Sequence, residues 1–238
     1  MISERLKDVR RIIAVSGGKG GVGKSLVAST LALILTGKNY KVGLLDADFT
    51  SPSTHAILGV EGIQLREEKC IIPVEVYGLK YMSIVAYSRG EALPLRSADV
   101  SNALIELFAA TGWGSLDFLI IDMPPGISDA TLDVIRLVER IEFLIVTTPS
   151  ALAFETVKKL ARLLVELRVP VVGVLENMKM KENPLVRQQA AAMSLPFLGE
   201  IPFDPKVEEA LGRVNLLMET AFARKLAGIV SKCGFLSR

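Results

Sequence analysis

Residues 18–25 read Gly18-Lys19-Gly20-Gly21-Val22-Gly23-Lys24-Ser25, with the apolar run Ile12-Ile13-Ala14-Val15 just before them and helical spacing over residues 26–35 behind. A strand that ends in a glycine-rich turn and passes into a helix is the setting in which G-x-x-x-x-G-K-[ST] holds phosphate. The glycines let successive backbone N–H groups turn inward, and the positive end of the following helix adds its field at the same point. Lys24 is thereby directed at the β- and γ-phosphates, and Ser25 offers a hydroxyl to Mg²⁺. Strand, loop and helix agree, so an incidental glycine-rich connection is set aside.

Outward from that turn, short apolar runs alternate with segments of helical period, as in a parallel sheet covered on both faces. Strands are predicted at 11–16, 41–46, 118–122, 142–147, 169–175 and near 197–199. Helices are predicted at 26–35, 101–110, 130–138, 154–167, 185–193 and 219–231. Residues 63–87 change to β-rich pieces broken by Pro73 and Gly78, which reads as a hairpin or edge insertion within 61–96. The expected fold class is α/β, a mostly parallel doubly wound sheet flanked by helices on both faces, with residues 1–238 as one domain.

Half of the residues are hydrophobic, enough for a large core. A net charge of +2 neither demands nor excludes nucleic acid, because a phosphate-backbone footprint depends on clustering in space. The two cysteines, Cys70 and Cys233, stand far apart, so no disulfide framework and no zinc or iron–sulfur motif is written in the chain. A cytoplasmic, soluble protein is expected. Residues 1–10 are charged where a secretory signal would be apolar, and no apolar run reaches the roughly 20 residues of a spanning helix.

The second predicted strand ends in Leu44-Leu45-Asp46-Ala47-Asp48, which delivers two carboxylates to the carboxyl edge of the sheet, where open α/β folds bind ligands. Asp122 closes the run Phe118-Leu119-Ile120-Ile121 and is followed by Met123-Pro124-Pro125-Gly126. The prolines stiffen that segment and Gly126 permits close backbone approach, so it can sense a terminal phosphate.

Lys19 is more than a plain P-loop requires. With it, Lys-Gly-Gly-x-Gly-Lys-Ser resembles the deviant Walker A motif of the family that includes MinD, ParA and the nitrogenase iron protein. The resemblance implies a P-loop NTPase that binds ATP or ADP with Mg²⁺, hydrolyses ATP and forms an ATP-promoted homodimer in which Lys19 reaches the partner's nucleotide. The alternative is that Lys19 serves its own phosphates. The resemblance further implies that Asp46 helps hold hydrated Mg²⁺, that Asp48 positions the attacking water, and that Asp122, the Walker B residue, acts on the metal through water. Pro124, Pro125 and Gly126 are then switch II. The expected catalytic residues are Lys19, Lys24 and Asp48; the expected metal residues are Ser25, Asp46 and Asp122. Nucleotide contacts are expected from Gly18, Lys19, Gly20, Gly21, Val22, Gly23, Lys24, Ser25 and Leu26.

Four further segments are similar to the Mrp/Nbp-type branch: Asp46-Ala47-Asp48 with Pro52-Ser53, Ile121 through Gly126, Val174-Leu175-Glu176-Asn177-Met178, and Leu198-Gly199-Glu200-Ile201-Pro202-Phe203-Asp204. That similarity implies that Asn177 hydrogen-bonds adenine and that the backbone of Pro202, Phe203 and Asp204 lines the base pocket. A turn role for Asn177 at a strand end is the alternative. Ser51 stands where the branch usually has glycine. A larger departure follows Met178: iron–sulfur carriers of this branch hold a bridging cluster through a Cys-x-x-Cys pair there, whereas this chain reads Lys179-Met180-Lys181-Glu182-Asn183-Pro184.

No iron–sulfur cluster is therefore expected on the chain. The leading expectation is an accessory of metallocentre assembly in [NiFe]-hydrogenase maturation, delivering nickel with a metallochaperone or metalloenzyme client, as in similar archaeal ATPases. One alternative is an Mrp-type ATPase of iron–sulfur cluster assembly or transfer. Another is a spatial organiser like MinD or ParA, whose contact with membrane or DNA would use Phe222, Leu226, Ile229 and Val230 with Arg224, Lys225 and Lys232. Ala221, Ala223 and Ala227 suit a packed final helix better, so neither a membrane nor a nucleic-acid partner is expected. His55 reads as a surface residue rather than a metal ligand, and Cys70 as a small buried hydrophobe.

Overall fold

A computed structural model describes residues 2–62, 65–88 and 97–232. In chain order the first elements are α1 (Ile2–Leu6), β1 (Val9–Gly17), α2 (Lys24–Gly37), β2 (Val42–Asp46), α3 (Thr54–Leu58), β3 (Arg66–Glu67) and β4 (Ile71–Ile72). There follow β5 (Val74–Val76), β6 (Leu79–Ser83), α4 (Val85–Ser88), α5 (Ser97–Ala110), β7 (Leu116–Asp122), α6 (Asp129–Leu137) and β8 (Ile141–Thr147). The chain closes with α7 (Ala151–Glu166), β9 (Val171–Lys179), α8 (Leu185–Ala192), β10 (Phe197–Pro202), α9 (Lys206–Ala210), α10 (Val214–Met218) and α11 (Ala221–Lys232).

β1 sits mid-sheet because its apolar residues leave neither face suited to water; it pairs in parallel with β7 on one side and β8 on the other. The eight-stranded order is β10-β9-β8-β1-β7-β2-β6-β5, parallel except where β5 runs against β6 at the edge. One face is closed by α1, α5, α6, α7 and α8, the other by α2, α3, α10 and α11, each over its own apolar cluster. Ser128 and Ser150 start α6 and α7 by accepting bonds from the backbone N–H groups of Thr131 and Ala153, which fixes where those helices begin at the carboxyl edge.

The expected α/β architecture is observed, and the differences have physical reasons. β9 runs to Lys179 rather than stopping at 175, because β10 pairs Glu200 with Glu176 and Pro202 with Lys179. Asn177 is therefore a strand residue, not a turn residue. α1, α9 and α10 are too short to show a helical period, so the pattern did not reveal them. Within 61–96 the chain forms the antiparallel β3–β4 pair and the β5–β6 edge, with residues 63–64 and 89–96 outside the described residues. The apolar face of α11 is turned inward: Phe222, Leu226, Ile229 and Val230 are buried in the core, which removes the surface that a lipid-binding reading needs. Among the described residues no helix is long and apolar enough to cross a membrane.

Candidate nucleotide and metal site

The glycine-rich turn wraps from the end of β1 into the first turn of α2. Gly23, with φ of 87°, adopts the left-handed backbone that starts the helix, and a side chain there would run into the amide of Asn177. Gly18 leaves no room either, since a Cβ would overlap the side chain and backbone of Thr156 on α7. Lys24 is buried at the helix start beside Ser25, while Val22 packs beneath the loop. Lys19, Gly20 and Gly21 are exposed on the outer limb of the loop, and Lys19 lies outside the cavity described below.

β2 and β7 are neighbours with Asp46 level with Asp122, so two fully buried carboxylates end adjacent strands. Asp46 is held by the chain that follows it. Its Oδ1 accepts the Asp48 N–H at 3.1 Å, and its Oδ2 accepts the N–H groups of Ser53 and Thr54, each at 3.1 Å, and the Thr54 hydroxyl at 2.7 Å. Asp48 in turn accepts the Thr50 hydroxyl at 2.7 Å and the Ser51 N–H at 3.1 Å, so serine at 51 still closes the turn through its backbone. Neither oxygen of Asp122 has a hydrogen-bond partner. A buried, unpaired carboxylate is costly unless a cation completes it.

Burial pushes the Asp122 carboxyl up to about 8, reinforced by the charge of Asp46; the Ser25 hydroxyl, short of hydrogen-bond geometry, and the Lys24 ammonium pull it the other way. Burial likewise raises Asp46, against the bonds from Thr54 and the Asp48 N–H. Because the Asp122 carboxyl keeps its proton well above the roughly 4 of an unfolded aspartate, the folded state binds more protons between those limits and loses stability as pH rises. The melting temperature of the metal-free protein is expected to fall as pH rises from about 4 to about 8, with a shallower fall in Asp122→Asn. Thermal denaturation across that range checks it; equal slopes would contradict the raised carboxyl.

Beside the loop opens a cavity of about 690 Å³, within the range of small-ligand sites. Gly21, Gly23, Lys24, Ser25 and Leu26 line it from the glycine-rich turn and the start of α2; Asn177, Met178, Pro202, Phe203 and Asp204 line it from β9, β10 and the chain after β10. Asn177 donates its amide to the Val22 carbonyl at 3.0 Å, which ties β9 to the loop. The Asp204 carboxylate accepts the N–H groups of Lys206 and Phe222. Ser53, just before α3, and the α3 residues Ala56 and Ile57 complete the wall together with Val207 and Leu211. The motifs did not indicate this group, although Pro52-Ser53-Thr54 does carry a helix-start signal. α3 is fastened to the opposite wall: the Gly212 N–H donates to the Ile57 carbonyl at 3.1 Å, and any Cβ on Gly59 would strike the Gly212 carbonyl.

The segment expected to be switch II departs from β7 and returns to the loop. The Met123 N–H donates to the Val15 carbonyl and the Gly126 N–H to the Gly17 carbonyl, both at 3.1 Å, with Pro124 buried and Pro125 exposed between them. His55 is half-buried on α3, and among the described residues no His, Cys, Asp and Glu group forms a metal cluster. Cys70 packs against Gly112 near the amino edge of the sheet, the end opposite residues 179–184, and Cys233 lies outside the described residues.

A family model described as NUBPL iron-transfer P-loop NTPase, of the ParA group, matches residues 8–233. The chain belongs to this family. It is 41% identical over 222 residues to an iron–sulfur cluster carrier protein of Aquifex aeolicus, covering 87% of this chain and 61% of that protein. Against an iron–sulfur cluster carrier protein of Saccharolobus solfataricus it is 36% identical over 226 residues, covering 88% of this chain and 76% of the relative. A nucleotide-binding protein of Archaeoglobus fulgidus, solved in complex with ADP, superposes with a TM-score of 0.75 at 31% identity, covering 92% of this chain and 91% of that one. The chain thus spans about three-fifths of the Aquifex protein's length.

These relatives overturn the expectation of nickel delivery in [NiFe]-hydrogenase maturation with a metallochaperone: NUBPL-family membership and relatives named as iron–sulfur cluster carriers point to iron–sulfur work instead. The inference failed because a missing cysteine pair subtracts one ligand set without supplying nickel-type donors.

Proposed function

We propose that this NUBPL-family P-loop NTPase is a magnesium-dependent ATPase that works in iron–sulfur cluster assembly or transfer as an ATP-promoted homodimer. The pathway rests on the family and its named relatives. The chemistry rests on one observation: a buried carboxylate with no hydrogen-bond partner, Asp122, stands level with Asp46 and close to Lys24 and Ser25 of the glycine-rich loop. Those residues suit a hydrated Mg²⁺, with Ser25 as a hydroxyl ligand and Asp46 and Asp122 acting through water. When bound, Mg²⁺ would neutralise charge on the β- and γ-phosphate oxygens. Lys24 steadies the same phosphates, Asp48 orients the attacking water, Asn177 with the backbone of residues 202–204 receives adenine, and Lys19 completes the partner's site.

Residues 179–184 do not fit a cluster. They contain no thiol, and Cys70 lies at the other edge of the sheet. The cluster handled in this reading is cargo on a client's cysteines, and ATP-driven association times its handling. Anaerobic incubation with ferrous iron and sulfide is expected to leave the purified chain colourless, while ATP without added metal donors drives stable capture of an apo iron–sulfur client. A stoichiometric cluster on the chain itself, or a client bound equally with ATP and ADP, contradicts the proposal.

A further inference from the structure

The strand β6 lies toward the edge of the sheet, yet one of its side chains meets the hydroxyl that holds Asp46. Tyr81 is fully buried and pairs in register with Leu44, two residues before Asp46 on the same strand face. Its hydroxyl lies 2.9 Å from the Thr54 hydroxyl, which donates at 2.7 Å to Asp46 Oδ2. Thr54 has a single hydroxyl proton, and the carboxylate takes it; the Tyr81 hydroxyl must therefore be the donor in the other contact. The order is fixed as Tyr81 to Thr54 to Asp46. Burial raises the phenol above its ordinary range, so it remains a donor.

The geometry points to Tyr81 and Thr54 as positioning residues for the magnesium site, a buried relay that locks the rotamer of Asp46 and with it the first turn of α3. This inference rests on the magnesium-ATP reading above. Asp46 Oδ2 accepts three bonds, all from Ser53 and Thr54, and only the hydroxyl bond is backed by a further residue. Without the Tyr81 donor, the Thr54 oxygen keeps a buried lone pair unpaired and its hydroxyl is free to turn away. The carboxylate then loses the aim needed to hold water on the metal, while the phosphate loop, to which neither residue is hydrogen-bonded, is unchanged. Groups that orient ligands from behind typically set metal affinity by one to two orders of magnitude, and more remote ones by less.

Mn²⁺ serves as the probe, its binding followed by electron paramagnetic resonance in the presence of ADP, alongside ADP affinity measured in chelator. Tyr81→Phe and Thr54→Val are expected to weaken Mn²⁺ binding roughly 3- to 10-fold, with metal-free ADP affinity held within about twofold, and Thr54→Ser should restore wild-type behaviour. Wild-type Mn²⁺ affinity in Tyr81→Phe overturns the relay, as does an equal loss of metal-free ADP binding, which would mark a general packing role. Should Thr54→Val fail to fold, Tyr81→Phe decides alone. If the wild-type chain itself binds no ADP, it is the magnesium-ATP reading that falls, and the relay with it.

Discussion

Replacing Lys19 with alanine is expected to leave ATP affinity within about threefold of wild type, to abolish the ATP-dependent dimer and to cut turnover roughly 1000-fold or more. The expectation comes from position. Lys19 is exposed on the outer limb of the loop and outside the cavity proposed to receive the nucleotide, so little of its effect is expected on the holding of ATP by its own chain. A cation that arrives from a docked subunit instead stabilises charge as it builds on the transferred phosphoryl, and such groups contribute about 10³ to 10⁵ in rate. Sedimentation with a non-hydrolysable ATP analogue, together with phosphate release, measures both effects. Undiminished turnover would return Lys19 to its own phosphates.

Lys24→Ala is expected to give the opposite division, with ATP affinity itself lost by roughly 100- to 1000-fold. Lys24 is buried at the start of α2, among the residues that line the cavity. Two charge-assisted bonds to phosphate, each about 1.5–3 kcal/mol, account for that magnitude. A fluorescent ATP analogue titrated against both variants separates the two lysines: one governs occupancy, the other what occupancy leads to. Near-normal binding by Lys24→Ala would place the phosphates elsewhere.

The legibility of the site followed the locality of its contacts. The phosphate loop and the three aspartates were readable because each terminates a buried strand within a few residues, and periodicity with turn chemistry is a local signal. The inward packing of α11 was likewise foreshadowed by its alanines. What escaped was set by pairing across the sheet. Asn177 lies within a strand only because β10 extends alongside it, and Tyr81 meets Thr54 only because β6 joins β2 in parallel, with nothing in Lys80-Tyr81-Met82 to announce the contact. The pathway assignment failed for another reason: absent cysteines say what a chain does not hold, and the identity of a cargo metal depends on donors that a client carries.

The two facing glycines at 59 and 212 carry a consequence for nucleotide choice. Both have left-handed backbones, with φ of 66° and 73°, and at Gly59 no side chain fits between the segments, so α3 and the turn that follows α9 are in direct backbone contact. At one end of that joined pair sits the grip on Asp46; at the other, Val207 and Leu211 line the cavity. On the magnesium-ATP reading proposed above, a purine that seats badly against one end is expected to misalign the divalent ion at the other, so that discrimination among triphosphates is read out as slower chemistry as well as weaker retention.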